Sequence, residues 1–449
     1  MISGFGRLKM DSNSLSYHLT RRNFLASTAA VAVTAAIVPT RAQESKTLEI
    51  WMAGSQDRQG AWLSGVADRF QQENPGVTVR YTILDWGGAS QKFASAAAAG
   101  SLPDVFFVYS SDMPTYAHAG ALKPLEGLVD NTNIIDAGLK IGTWDGQWYG
   151  MPSGLDAPVY VFRKDFVKEA GLDPDAPPSN WDELATWSRE LTARDGSGSL
   201  QRAGLWLATG HPWVTFNQFM AMLYANGGTL FSSDGMTSAL TSDAAIETVS
   251  FLARLIRDDK VVEPGLVQAE NRDFAEGRIA TLISPIAVRG WAENYPDLNN
   301  PETVGFAPMP AGPNGAAGGI VTGGGVFLMS AKTPEPELAA KLIAAVGLDP
   351  QNVAGLIAGD AAPPPLKSSL MGDYLQQYPL AAEYHRLIEE YPRFYPKHPS
   401  FGAMYAPFNR ALDNIYLTGA DPKAEFEAAA REIDAIIEKS GVPVEESQG

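Results

Sequence analysis

Between residues 47 and 108 the apolar pattern switches repeatedly between the two-residue period of a strand and the 3.6-residue period of a helix, and nothing else in the chain restricts its fold as strongly. Residues 47–52 read as a short strand. From 61 to 73, Trp62, Val66 and Phe70 recur every fourth residue with Leu63 and Ala67 beside them, one face of a helix that Asn74, Pro75 and Gly76 terminate. Val77, Val79, Tyr81 and Ile83 then alternate with Thr78, Arg80 and Thr82, as a half-buried strand requires. An alanine-rich helix over 91–99 stops at Gly100, and a wholly apolar strand follows over 105–108. Parallel strands need long crossovers, which helices supply, so this order predicts a parallel sheet with helices on its faces.

The α/β character returns in mid-chain. Asp145-Gly146 between Trp144 and Trp148 predicts a hairpin turn. A strand over 158–162 runs into a helix ending at Gly171. Asn180 with Glu183 forms a capping box that opens a helix carrying Trp181, Leu184, Trp187 and Leu191. A polar loop over 195–204 precedes a strand at 205–207. Ile246, Val249, Leu252, Ala253 and Ile256 share one face of a further helix, and 281–283 is a strand. Gly and Pro crowd 308–325, a strand leaves that run at 326–329, and Thr333-Pro334 starts a helix. Pro363 to Pro365 is a stiff extended segment, and a last helix opens at Asp421-Pro422 with Phe426, Ala430, Ile433 and Ile437 inward.

The first 42 residues do not share this patterning. Arg21-Arg22 stands directly before an uncharged, Ala- and Val-rich run over 26–38, and Thr40-Arg41-Ala42 follows. A bilayer span needs roughly 20 apolar residues, so the run is too short for one. A basic region, a short apolar core and a small-residue cleavage site describe a removable export signal, and the arginine pair followed by Phe24 and Leu25 points to the twin-arginine route. Cleavage is expected after Ala42, into a periplasm. The remainder of the chain exceeds what one core usually serves, so two domains or lobes are expected. The sequence has no cysteine, which excludes disulfides, thiol catalysis and lipidation at the cleavage site. Without residues 1–42 it carries 29 basic and 50 acidic residues, a formal charge of −21 that argues against nucleic acid or an anionic membrane as partner.

Several chemistries lack their motifs. The glycine run 312–325 has no Gly-Lys-Ser/Thr ending and leads into a strand, whereas a phosphate loop feeds a helix. Five histidines with no His-x-x-x-His pair do not make a catalytic zinc site, and no metal or cofactor is expected. Asp173-Pro174-Asp175 lacks the other ligands of a calcium loop, and no Gly-x-Ser-x-Gly elbow is present. Paired carboxylates for glycoside hydrolysis leave no spacing in sequence and stay open. Trp51, Trp86, Trp213 and Trp291 fall where strands end, which in open α/β sheets is where ligands bind. Core filling competes with that role for each Trp singly. Together with Asp85, Asp112, Asp156 and Arg289 they suit a polar, ring-shaped ligand whose C–H face stacks on indole.

Residues 48–52 and 70–79, the Gly100-x-x-Pro103-Asp104-Val105 step, 149–152 with 159–165, 180–184, 226–228, 274–278 and Gly323-Gly324-Gly325 occur in an order that resembles the extracellular solute-binding proteins of family 1, the maltose-binding-protein-like receptors of carbohydrate ABC importers. The resemblance covers nearly all of 46–440. It implies an α/β, two-lobed periplasmic binding protein fold of class II type, each lobe a central sheet flanked by helices, with the ligand cleft between lobes. The first lobe would comprise 43–155 and 306–358, the second 156–305 and 359–449. By position, the resemblance places Ser55 and Gln56 after the first strand, Trp86 after the second, and Tyr109, Ser111 and Asp112 among first-lobe contacts. It makes Asp156 a crossover carboxylate, His211 and Trp213 part of a second-lobe aromatic platform, and Arg289 a residue following the strand 281–283. Gly324 would present backbone groups, and Tyr405 and Arg410 would close over the ligand.

The resemblance also implies a monomeric receptor without catalysis, handing a carbohydrate to the transmembrane subunits of an ABC permease. The Asp-Lys pair that maltose-binding protein carries after its first strand is Ser55-Gln56 here, and two stacking Trp positions are Ile286 and Ala406. A ligand other than maltodextrin is therefore expected: a smaller sugar, a disaccharide, another oligosaccharide, a polyol or a sugar derivative. The rival readings are a secreted carbohydrate-active enzyme working through Asp112 and Asp156, and a receptor for a non-sugar such as a polyamine, which an acidic aromatic cleft would also suit.

Overall fold

The computed structural model describes residues 45–263, 270–284 and 294–446. The expected export signal, and Arg289, Trp291 and Ile286, lie outside the described residues. The front of the chain alternates as its periodicity requires: β1 (Lys46–Ala53), α1 (Ala61–Glu73), β2 (Val77–Leu84), α2 (Trp86–Ala99) and β3 (Val105–Tyr109). β1 lies parallel to β2, from Lys46 opposite Val77 to Ala53 opposite Leu84, and parallel to β3 through Ile50 opposite Val105. Two strands from distant chain finish this sheet. Gly325–Met329 runs antiparallel to β3, and Gly150–Pro152 antiparallel to Gly325–Met329.

A second five-stranded sheet has the order Val304–Ala307, Val159–Arg163, Ile279–Ser284, Leu200–Trp206, Ala193–Arg194. Ile279–Ser284 is parallel to Leu200–Trp206 and antiparallel to Val159–Arg163. Of its interior strands, Ile279–Ser284 is buried at every residue and Val159–Arg163 at all but its last, as strands covered on both faces must be. Each sheet with its helices forms one lobe, and the chain passes between them along 153–158 and again along 308–320.

Local differences from the periodicity have local causes. α2 starts at Trp86, five residues early, because the Asp85 carboxylate caps it by accepting from Gly87 N at 2.9 Å and Gly88 N at 3.2 Å. The strand expected at 205–207 begins at Leu200, where it gains an antiparallel partner in Ala193–Arg194 across a turn that Asp195 holds by accepting from Ser197 N and Ser199 N. Glu183 reaches Ser179 N at 2.7 Å, while Asn180 accepts from Glu183 N at 3.0 Å, so the capping box is displaced by one residue. The helix expected at Thr333-Pro334 begins at Pro336.

The helix Pro212–Ala225 escapes periodicity altogether. Every residue from Val214 to Ala225 is buried, the polar Thr215, Asn217 and Gln218 included, so its sequence shows no single apolar face. It packs on the helix Phe401–Asp413, where the Phe216 ring lies 5.2 Å from Tyr405 and 4.9 Å from Phe408. Removing a ring buried this completely costs about 3–5 kcal/mol. Among the described residues no single helix is long and apolar enough to cross a bilayer, and no three His, Cys, Asp or Glu side chains gather as metal ligands.

Candidate functional site

The C-terminal ends of β1 and β3, the first turns of α2, and the N-terminus of Pro212–Ala225 meet at a cavity of about 320 Å³. Trp86, Phe93, Phe107, Tyr109, Asp112 and Trp213 form most of its wall, with Ala53, Ala89, Ser90 and Val108 between them. Trp86, Ala89, Ser90 and Phe93 are spaced i, i+3, i+4 and i+7, one face of α2. Phe107 and Tyr109 are two apart on β3 and so share a face of the strand. Trp213 is the contribution of the second lobe. Its ring stands edge-on to Tyr109, centroids 6.0 Å apart. Trp86 is 58 % exposed, the largest apolar surface left open in the described chain, and touches Phe107 edge-on at 6.2 Å.

Tyr109 is the pivot of a polar network behind this wall. Its hydroxyl donates to the Asp156 carboxylate, and burial first, that carboxylate second, hold the phenol well above its usual range. The Tyr395 ring packs edge-on to Tyr109 at 6.0 Å, and the Tyr395 hydroxyl donates to Asn217 Oδ1. Asn217 Nδ2 in turn donates to the carbonyl of Trp213 at 2.7 Å, so the network returns to the cavity wall. Two glycines make room for it. Asp156 and Gly323 exchange backbone hydrogen bonds at 3.1 and 2.8 Å, and a Cβ on Gly323 would lie 2.5 Å from the Tyr109 hydroxyl. Gly324 has φ +149°, a Cβ there would lie 2.2 Å from the Gly154 carbonyl oxygen, and its own carbonyl accepts from Ser110 N at 2.9 Å.

Asp112 occupies the N-cap position of α3 (Met113–His118), yet its carboxylate caps nothing. It lines the cavity, and burial pushes its carboxyl up to about 6. Tyr405, half-buried on Phe401–Asp413, brings its hydroxyl to the Ser111 side chain and lies near Asp112, and burial raises its phenol above the usual range. Ser111 itself is buried.

The remaining residues singled out in the sequence lie off this cavity. The Ser55 amide and hydroxyl both bond Gln59 Oε1, at 2.9 and 3.1 Å, and the Gln56 amide folds against Gly60. His211 caps Pro212–Ala225, Nδ1 accepting from Val214 N at 3.2 Å. Arg410 pairs with Glu432, both about half exposed. Trp51 stacks near Phe93 at 6.3 Å with the Lys92 ammonium over its ring, outside the cavity wall. Phe93, Phe107, Asn217 and Tyr395 were not singled out. For Phe93 and Phe107 the signal was present: each sits at helical or strand spacing from Trp86 or Tyr109. Asn217 and Tyr395 are 178 residues apart and carried none.

Residues 53–353 match the sequence profile of the bacterial extracellular solute-binding protein family. A putative binding protein of Brucella abortus is 26% identical over 400 residues, 85% of this chain and 90% of that protein. The solute-binding protein of an ABC transporter from Thermotoga lettingae, bound with α-D-tagatose, superposes with a TM-score of 0.71 at 24% identity, over 88% of this chain and 100% of that one. UgpB from Mycobacterium tuberculosis in complex with glycerophosphocholine gives 0.73 at 24% identity, over 89% and 100%.

Proposed function

The chain belongs to the bacterial extracellular solute-binding protein family, and from that premise we propose that it captures a small carbohydrate between its lobes and delivers it unaltered to the membrane subunits of an ABC permease. The observation that carries this reading is the placement of Trp86 and Trp213, one from each lobe, on the wall of one cavity that also holds an unshared carboxylate, Asp112. Indole faces and a carboxylate are what a sugar's C–H face and hydroxyls call for. At about 320 Å³ the cavity is at the small end of ligand pockets, which span about 300–1,000 Å³, and this favours one or two sugar rings over an oligosaccharide.

The residues proposed to touch ligand are Trp86, Tyr109, Asp112 and Trp213, with Ser111, Asp156 and Tyr405 holding them in place. A ligand that contacts both lobes favours the closed arrangement by its differential affinity for it. Lobe assignment follows the sheets: the boundary expected at 305/306 would split Val304–Ala307, and its pairing with Val159–Arg163 favours the second lobe for the whole strand. Residues 1–42 are proposed as the export signal and the periplasm as the destination. A monomer suffices, since both walls come from one chain.

Tryptophan fluorescence and calorimetry against mono- and disaccharides, polyols and sugar phosphates test the reading. Saturable binding with the sugar recovered intact is expected. Turnover of any of them would instead favour an enzyme acting through Asp112 and Asp156.

A further inference from the structure

The described wall of the cavity holds an unbalanced charge. Apart from the Tyr109 phenol, Asp112 is the only ionisable side chain on the described wall; no Lys, Arg or His is there. Asp112 makes no ion pair among the described residues. The groups that face it are phenols, Tyr116 on its own helix and Tyr405 from Phe401–Asp413, which carry no positive charge. A second carboxylate, Asp156, stands behind the Tyr109 ring and is engaged by its hydroxyl.

Among the described residues, the anion-binding device at the cavity rim is already occupied. The first free amides of a helix are the usual substitute for a basic side chain. At α2, whose first turn forms the cavity rim, Gly87 N and Gly88 N are both already bonded to the Asp85 carboxylate. Five aromatic rings make up half of the described wall: Trp86, Phe93, Phe107, Tyr109 and Trp213. Ring faces carry negative quadrupole charge and attract cations. Aromatic faces around a carboxylate with no ion-pair partner among the described residues are the chemistry that holds an ammonium group and disfavours a phosphate.

We propose that the cleft selects solutes bearing a protonated amine, amino sugars in particular, with Asp112 as counter-ion between the Trp86 and Trp213 rings, and that it rejects phosphorylated or carboxylated sugars. This rests on the solute-binding reading above and names the class of solute. The raised Asp112 carboxyl agrees with it: the group is ionised at neutral pH, no described residue pairs with it, and an ammonium would.

Calorimetric titration of the purified protein at pH 7.5 with matched sets decides the matter. Each set joins an amino sugar, its neutral parent and its 6-phosphate, on glucose, galactose and mannose; the β-1,4 dimers of glucosamine and glucose and free spermidine complete the panel. On whichever skeleton binds, the amine is expected to bind at least about tenfold more tightly than the neutral parent, with no binding of the phosphate. Asp112→Asn is expected to reduce that preference to within about threefold, the amine losing the larger share of its affinity. A neutral or phosphorylated member binding as tightly as the amine overturns the amine selectivity and leaves solute binding standing. Spermidine binding alone keeps the amine selectivity and overturns the carbohydrate ligand. Saturable binding by none of them overturns both.

Discussion

The Tyr109 hydroxyl donates to the Asp156 carboxylate, tying the C-terminal end of β3 to the segment on which the chain leaves the first sheet for the second. The same ring is edge-on to Trp213 and to Tyr395, so one side chain touches the cavity, the crossover and the late segment of the chain. Tyr109→Phe keeps the ring and removes the bond. A hydrogen bond to a charged group is worth about 1.5–3 kcal/mol, and a loss of about that size is expected in urea unfolding. A loss under about 0.5 kcal/mol would show that the bond adds nothing to the fold.

Trp86 and Trp213 differ in burial and so should differ in what their removal does. Trp86 is largely exposed, and Trp86→Ala is expected to leave stability within about 0.5 kcal/mol while weakening ligand about 10- to 100-fold. Trp213 is half-buried and packs on Tyr109, so Trp213→Ala is expected to weaken ligand and also to lower stability by about 1–2 kcal/mol. Unchanged affinity in both variants would move the ligand elsewhere.

Asp112 gives the fold a pH signature. Its carboxyl is raised to about 6 in the fold against an ordinary 3.8, so the native state holds a proton that the unfolded chain has already released between those values. Its contribution is most favourable below about pH 4 and is lost as pH rises through 6, by up to about 3 kcal/mol. Asp112→Asn cannot ionise. The variant is expected to match the parent near pH 3.5 and to exceed it in stability at pH 8, read as the difference between their urea midpoints. A difference that stays constant with pH would mean that the carboxylate is well solvated.

Gly324 is held by its backbone. With φ +149° and the Gly154 carbonyl oxygen 2.2 Å from a would-be Cβ, Gly324→Ala is expected to cost more than about 3 kcal/mol or to prevent folding. Gly402 is the control. It lies exposed in Phe401–Asp413 with nothing within 4 Å of a Cβ, and Gly402→Ala is expected to stabilise by about 0.5–1 kcal/mol. Equal effects at the two positions in a thermal melt would remove any special role for the Gly324 conformation.

Strand and helix at the front of the chain were legible because their causes lie within a few residues: Trp62, Val66 and Phe70 need only their own helix to define a face, and Val77 to Ile83 only the pleat. The Asp85 cap was equally local, but Gly87 and Gly88 are poor helix formers and hid the first turn, and with it the face that carries Trp86, Ser90 and Phe93 to the cavity. Pro212–Ala225 was illegible for the opposite reason, since burial on every side erases the period. By itself, then, the sequence determined the α/β alternation, the helix end at Gly100, the acidity and the family pattern. Tertiary structure alone decided that Asp112 faces the cavity with no ion-pair partner among the described residues while Asp156 is taken by Tyr109, that Arg410 turns to Glu432, and that Tyr395 meets Asn217. Those outcomes depend on which surfaces two separately built lobes bring together, and contact across that distance leaves no spacing along the chain.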